Sequence, residues 1–475
     1  MLFPTITFAA FFMVVWPAAW AVARWPVARQ LLLLTASSVF YAYWDERYLV
    51  LLAALVVLNH AGAHAIDRAA HAPRVQRAIV WLAVLTHLGI LGWFKYYGFF
   101  AAELTSALAR VGLTVEPPLV QVVLPLGISF VTFQAISHLI EVRRGVVAPG
   151  RLLEVATWLT FFPTIASGPI TRASELLPQL RDRPAARIEA NRAFWLIARG
   201  LFKKMVLASY LASAIADDVF AGPARHSGAE VLIGIYAYAA QLYLDFSGYT
   251  DMAVGVALLL GIRLPENFNA PYVAQTVTEF WTRWHMTLSR WLRDFVFTPL
   301  TLHSARTTVA TCRNLVIVML LTGLWHGAAW TFVAFGAVHG LAMAGERALR
   351  QRRRRLGRAP TAGGWVHRLV RQVVTFHIVC LGWVFFRAES LQGAIDVLAA
   401  LGNGWSPSPS VTILLAGILA AVLLAQLVPL ALRDRLGEKV ATLGAVPTVA
   451  GLALVLLVID VFGPEGVPPF LYGGF

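Results

Sequence analysis

The chain reads as all-α: a polytopic membrane helix bundle with re-entrant and interfacial helices. Three observations predict this. Hydrophobic residues make up 58% of the 475 and charged residues only 13%, whereas a soluble domain carries about a quarter charged residues. Apolar stretches able to cross about 30 Å of hydrocarbon recur along the whole chain. These runs are continuous and do not alternate in polarity, which argues against a barrel.

The first run, Phe3–Val22, has no Lys or Arg before it, so it lacks the charged start of a signal peptide and is expected to be a retained span. Further spans are expected at 31–44, 48–66, 78–100, 119–140, 194–221, 229–260, 309–324, 328–346, 365–386, 411–431 and 443–462. The run 152–170 is different. It is interrupted at Phe162-Pro163 and Gly168-Pro169 and flanked by like charge, so it reads as re-entrant, since irregular backbone at membrane depth needs a covering of protein or water.

The net charge of +14 does not mark a nucleic-acid surface, because arginine gathers between apolar runs, as in Arg347–Arg355. That is the pattern of cytoplasmic loops. It places Arg24/Arg29, Arg68/Arg74/Arg77, Arg143/Arg144, Arg181–Lys204, Arg263–Arg313, Arg347–Arg358 and Arg433–Lys439 inside, with both termini outside. No soluble domain and no internal repeat is evident, so residues 1–475 are expected to form a single integral-membrane domain. Cys312 and Cys380 are isolated, with no spacing suited to zinc, and no metal site is expected.

Three polar clusters interrupt the apolar background. In Gly323-Leu324-Trp325-His326-Gly327, His326 sits at the bend between two hydrophobic runs, where an ionisable group is a functional candidate. In Thr278–Phe295, positions 281, 284, 285, 288, 291, 292 and 295 share one helical face that is aromatic or leucine except for His285, while Arg283, Arg290 and Arg293 lie off it. That pattern predicts a continuous helix at the cytoplasmic interface. The third cluster, Gln241–Asp251, brings Asp245, Ser247, Tyr249 and Asp251 into the run 229–260, and both carboxylates must be paired, hydrated or neutral at that depth. A serine hydrolase is disfavoured: no GxSxG elbow exists, and Gly127-Ile128-Ser129-Phe130-Val131 lacks the closing glycine.

Read in order, these clusters resemble the membrane-bound O-acyltransferase (MBOAT) family, in the bacterial branch with alginate-acetylating and teichoic-acid D-alanylating members. The resemblance rests on Pro125-Leu126-Gly127-Ile128-Ser129-Phe130, Phe162-Pro163 with Ser167-Gly168-Pro169-Ile170, and Asp245-Phe246-Ser247-Gly248-Tyr249-Thr250-Asp251-Met252-Ala253. It continues through Asn267-Phe268-Asn269-Ala270-Pro271-Tyr272, Glu279–Asp294 and the His326 motif, and the closing Pro469-Phe470-Leu471-Tyr472 with Phe475 resembles the alginate-acetylating tail.

The resemblance implies a bundle around a central tunnel, with His326 and His285 as the catalytic histidines. Asp245, Ser247, Tyr249, Asp251, Asn267, Glu279, Trp281 and Trp325 would line the substrate path or support it. A buried neutral imidazole can take the proton of an attacking hydroxyl, and His285 would be a second base, a donor ligand or an orienter of the acceptor. His339 lies between Gly336 and Gly340 and is expected to pack between close helices, and His60, His64, His87, His138 and His377 are expected to be structural.

The implied activity moves an acetyl group from a cytoplasmic donor, acetyl-CoA or another acyl thioester, across the bacterial inner membrane toward an exported alginate-like polysaccharide. No permanently bound cofactor is implied. A periplasmic acetyltransferase would be the partner, membrane lipid the surroundings, and the polysaccharide the direct or indirect acceptor. Peptidoglycan O-acetylation and D-alanyl transfer to teichoic acid are the alternatives within the family. From other classes come a proton-coupled transporter using Asp245, Asp251 and His326, which no inverted repeat supports, and a scaffold that only docks periplasmic partners. A scaffold would tolerate loss of both histidines.

Overall fold

A computed structural model describes residues 1–113, 123–182, 189–305, 307–357, 364–405 and 410–464. Arg358 and the motif Pro469–Tyr472 with Phe475 lie outside the described residues, as do the first four positions of the expected 119–140 span. Helices build the described chain, with no strand among those residues. Contacts divide it into two compact units, Met1–Ala193 with Met252–Pro265, and Phe194–Asp251 with Glu266–Phe475.

The first unit opens with α1 (Ile6–Ala21), α2 (Pro26–Asp45), α3 (Tyr48–Arg68) and α4 (Pro73–Arg110). Thr5 starts α1 by accepting from Phe8 N at 3.1 Å, and Pro26 and Pro73 begin α2 and α4 where a missing N–H costs no helical bond. α5 (Ile128–Arg143) follows Gly127, whose φ of 71° and whose closeness to Ile165 O, 1.9 Å from where a Cβ would sit, both require glycine. The interruption expected in 152–170 is present. α6 (Leu152–Thr160) ends, α7 (Phe162–Ile165) adds one turn, and Trp158, Phe161, Phe162 and Ile165 are fully buried, so protein covers the broken backbone.

α8 (Ala173–Arg181) completes this group of helices and explains Arg29. Loop-charge reasoning treats Arg29 as a flanking cation, yet it lies in the first turn of α2 and is 1% exposed. Its guanidinium donates to Gln179 O (3.1 Å), Asp182 O (3.3 Å) and Leu260 O (3.0 Å), carbonyls at helix ends that lack intrahelical donors. Arg29→Met would leave the buried Leu260 carbonyl without its donor, at about 1–3 kcal/mol, and would remove the two part-buried bonds to Gln179 and Asp182. A markedly lower unfolding temperature in detergent is expected, and wild-type melting would show that the clamp does not stabilise the unit.

The second unit takes up the chain partway along α9 (Ala190–Leu201). It continues through a π-helical stretch Phe202–Ala208, α10 (Ser209–Leu211), a second π stretch Ala212–Ala216 and α11 (Asp217–Ala221). The 194–221 run is therefore one rod with two widened turns. α12 (Gly228–Leu259) carries the third polar cluster. Next come α13 (Val277–Arg283), α14 (Met286–Leu292), a π turn Arg293–Phe297, α15 (Thr298–Leu302), α16 (Thr308–His326) and α17 (Trp330–Arg355). α18 (Trp365–Arg387), α19 (Leu391–Ala400), α20 (Ile413–Ala425), α21 (Leu430–Ala441) and α22 (Ala445–Phe462) follow. α17 outruns its apolar stretch because the arginines after Met343 are good helix formers.

α16 and α17 pack backbone to backbone. A Cβ on Gly323 would lie 2.0 Å from Phe332 O, and one on Gly336 2.3 Å from Met319 O. Among the described residues, five helices are long and apolar enough to cross a membrane: α3, α4, α16, α18 and α22.

Candidate active site

The two candidate catalytic histidines and the eight residues expected to line or support the substrate path all lie in the second unit. α16 stops at His326 because Gly327 turns to extended backbone against Phe332, whose ring is 2.1 Å from where a Gly327 Cβ would sit. His326 is thereby held at a helix end and 2% exposed. Its ring packs against Trp325 (centroids 4.9 Å apart), Phe386 (5.2 Å) and Phe335 (5.7 Å).

The continuous interfacial helix expected over 281–295 is not what forms. α13 ends at Arg283, Trp284 is extended, His285 is left-handed at φ 41° and ψ 55°, and α14 begins at Met286. The aromatic face is buried as its periodicity implied, with Trp284, His285 and Leu288 fully enclosed, but the covering is protein instead of lipid. Asn267 explains the break. Its carbonyl accepts from Met286 N at 2.9 Å, its Oδ1 accepts from His285 Nδ1 (3.1 Å), Thr287 N (3.2 Å) and Thr287 Oγ1 (2.9 Å), and Asn269 N donates to Arg283 O (2.9 Å). These bonds offset the left-handed conformation, which costs on the order of 1–3 kcal/mol outside glycine.

One indole joins the two histidines. The Trp325 centroid is 5.9 Å from His285 and 4.9 Å from His326. Phe246 of α12 closes on His285 at 4.8 Å. Burial pushes the His285 imidazole down to about 3, so it is neutral at ordinary pH.

The other predicted residues divide between support and packing. Asp245 is ion-paired with Lys204, both nearly fully buried. Asp251 is bridged by Arg199 (2.6 Å) and Lys203 (2.8 Å), and Lys203 also donates to Ser247 Oγ at 3.3 Å. Gly248 allows that contact, since its Cβ would fall 2.8 Å from Gly200 O. The carboxylates are therefore paired, as depth required. Sequence alone does not show these partners, because Arg199, Lys203 and Lys204 read as cytoplasmic loop charge, although the spacing of 199 and 203 marks one helical face.

Tyr249 is buried. Glu279 belongs to the frame, accepting from Gln275 N (2.9 Å) and Arg283 Nε (2.9 Å). Glu346, also missed, accepts from Thr278 N (3.2 Å) and Thr278 Oγ1 (2.7 Å) at the start of α13. Trp281 Nε1 donates to His339 Nδ1 at 3.2 Å, and His339 fits against Gly382, where a Cβ would be 2.4 Å from its Nε2. His339 thus packs between helices, as expected from its glycines.

Residues 78–381 match the model of MBOAT, the membrane-bound O-acyltransferase family. A probable alginate O-acetylase AlgI of Azotobacter vinelandii is 43% identical over 377 residues, covering 78% of this chain and 72% of the relative. The probable alginate O-acetylase AlgI of Pseudomonas aeruginosa is 40% identical over 375 residues, covering 78% and 69%. A peptidoglycan O-acetyltransferase of Helicobacter pylori is 33% identical over 410 residues, covering 80% and 75%.

Proposed function

Because this chain belongs to the membrane-bound O-acyltransferase family, we propose that it passes an acetyl group from a cytoplasmic acyl thioester to an exported polysaccharide of the alginate kind. It is an O-acyltransferase and a multi-pass membrane protein. The observation that carries the reading is the pairing of two buried histidines on one indole, in a chain 43% identical to a probable alginate O-acetylase. The lower identity to the peptidoglycan enzyme favours an alginate-like acceptor over peptidoglycan, and D-alanyl transfer is the more remote alternative.

In this reading the protein lies in the inner membrane, with a tunnel linking the donor side to the acceptor side. His326 takes the proton of an acceptor hydroxyl as the oxygen bonds to the thioester carbonyl carbon. The carbon–sulfur bond breaks, sulfur leaves with the electron pair, and the imidazolium returns the proton to the thiolate. General-base help of this kind is worth about 10²–10⁴ in rate. The donor is acetyl-CoA or a carrier-bound acetyl thioester, and the immediate acceptor is a hydroxyl on the polysaccharide or on a periplasmic acetyltransferase that completes delivery.

Purified protein in liposomes, supplied with labelled acetyl-CoA and alginate or peptidoglycan, tests the assignment. Label should appear on alginate, or on a co-purified acetyltransferase, and label on peptidoglycan alone would overturn the acceptor. His285→Phe fills the same aromatic surroundings without a nitrogen. It is expected to fold and to lose most transfer, and wild-type turnover per folded protein would return His285 to a packing role.

A further inference from the structure

His285 could serve transfer by donating to the departing sulfur or by accepting from the incoming hydroxyl. We propose that Asn267 is a positioning residue that commits the His285 ring to one tautomer, protonated at Nδ1 and basic at Nε2, so that Nε2 captures the arriving acceptor hydroxyl through its hydrogen before that single hydrogen turns to His326 as the carbon–oxygen bond forms. The proposal rests on the reading of His285 as a participant in transfer.

The argument starts from the orientation of the Asn267 amide. The backbone N–H of Thr287 can only donate, and it lies 3.2 Å from one atom of that amide, which must therefore be the oxygen. Thr287 Oγ1 donates to the same oxygen at 2.9 Å. His285 Nδ1 is 3.1 Å from it. An amide oxygen only accepts, so the ring nitrogen facing it carries the hydrogen, and in a neutral imidazole the other nitrogen then holds the lone pair.

Asn267 also grips the residue from its backbone side, since its carbonyl accepts from Met286 N at 2.9 Å. Ring and main chain of His285 are thus held by one residue, itself 1% exposed and shielded from competing water. Phe246 and Trp325 flank the ring and bring no charge, so burial dominates its basicity. A tautomer held this way presents Nε2 as an acceptor and cannot donate to the thioester sulfur from that nitrogen in the resting state. The ligand chemistry is that of a hydroxyl, as on a sugar or a side-chain alcohol.

Asn267→Asp keeps an acceptor for Nδ1 and for both Thr287 donors but adds a charge that favours imidazolium. Transfer by this variant should approach wild type at high pH and fall about tenfold per pH unit below a new inflection about one to three units above that of the wild-type imidazole, with acceptor KM rising and donor KM unchanged. The wild type should show no such inflection. Asn267→Leu, compared alone and in a His285→Ala background, supplies the second test: it should reduce transfer in the parent and add nothing once His285 is absent. A folded Asn267→Asp with the wild-type pH profile, or a Leu effect of equal size in both backgrounds, overturns the proposal. If His285→Ala itself transfers at the wild-type rate, the reading beneath it fails instead.

Discussion

His326→Ala should leave folded protein in the membrane while lowering acetyl transfer by about 10² or more. The side chain ends α16 and packs in an aromatic group with Trp325, Phe335 and Phe386, so its loss trims contacts without cutting a helix. What disappears is the buried nitrogen able to take a proton. His326→Gln keeps volume and hydrogen bonding but is no base at neutral pH, so it should be as inactive as the alanine variant. Rates normalised to the monodisperse fraction on size exclusion decide the matter. Transfer within a few fold of wild type by either variant would remove His326 from the chemistry.

Lys204→Met should be the most damaging single change in the second unit outside the histidines. Its ammonium pairs with Asp245 where the two side chains are 2% and 5% exposed, and taking one member from such a pair costs about 3–5 kcal/mol. Replacing both, as Lys204→Met with Asp245→Leu, removes the desolvated charges together and should restore most of the stability. Thermal unfolding in detergent measures both variants. If the double variant is no more stable than the single, the pair is not the source of the loss. Asp245 adjoins Phe246, which packs on His285 at 4.8 Å, so a destabilised pair should also slow transfer by the protein that remains folded.

Much of this protein is legible without coordinates, and the reason is solvent. In hydrocarbon every backbone polar group must be satisfied internally, so a long apolar run is a helix and little else. The runs that became α3, α4, α16, α18 and α22 could be located to within a few residues, apart from the C-terminal extension of α4. The break near Phe162-Pro163 was equally visible, because Pro and Gly interrupt helices by their own covalent geometry. His326 stood out for a related reason, as a polar residue between apolar arms.

His285 shows the limit. Period 3.6 put Trp281, Trp284, His285 and Leu288 on one buried face, and that face is buried. The same periodicity implied an unbroken helix, and the chain instead turns left-handed at His285 because Asn267, 18 positions earlier, binds both its ring and the backbone beyond it. Lys204 shows the same limit: its charge reads as a loop signal in the sequence, while its partner Asp245 lies 41 positions away. Local composition and covalent geometry were enough to locate the apolar helices and their breaks and to single out the two histidines as candidates. Which distant residue meets which, and so the conformation of His285, the indole between the two histidines and the partners of the buried carboxylates, emerges from the folded chain, because such pairings depend on three-dimensional approach, which no periodicity along the chain encodes.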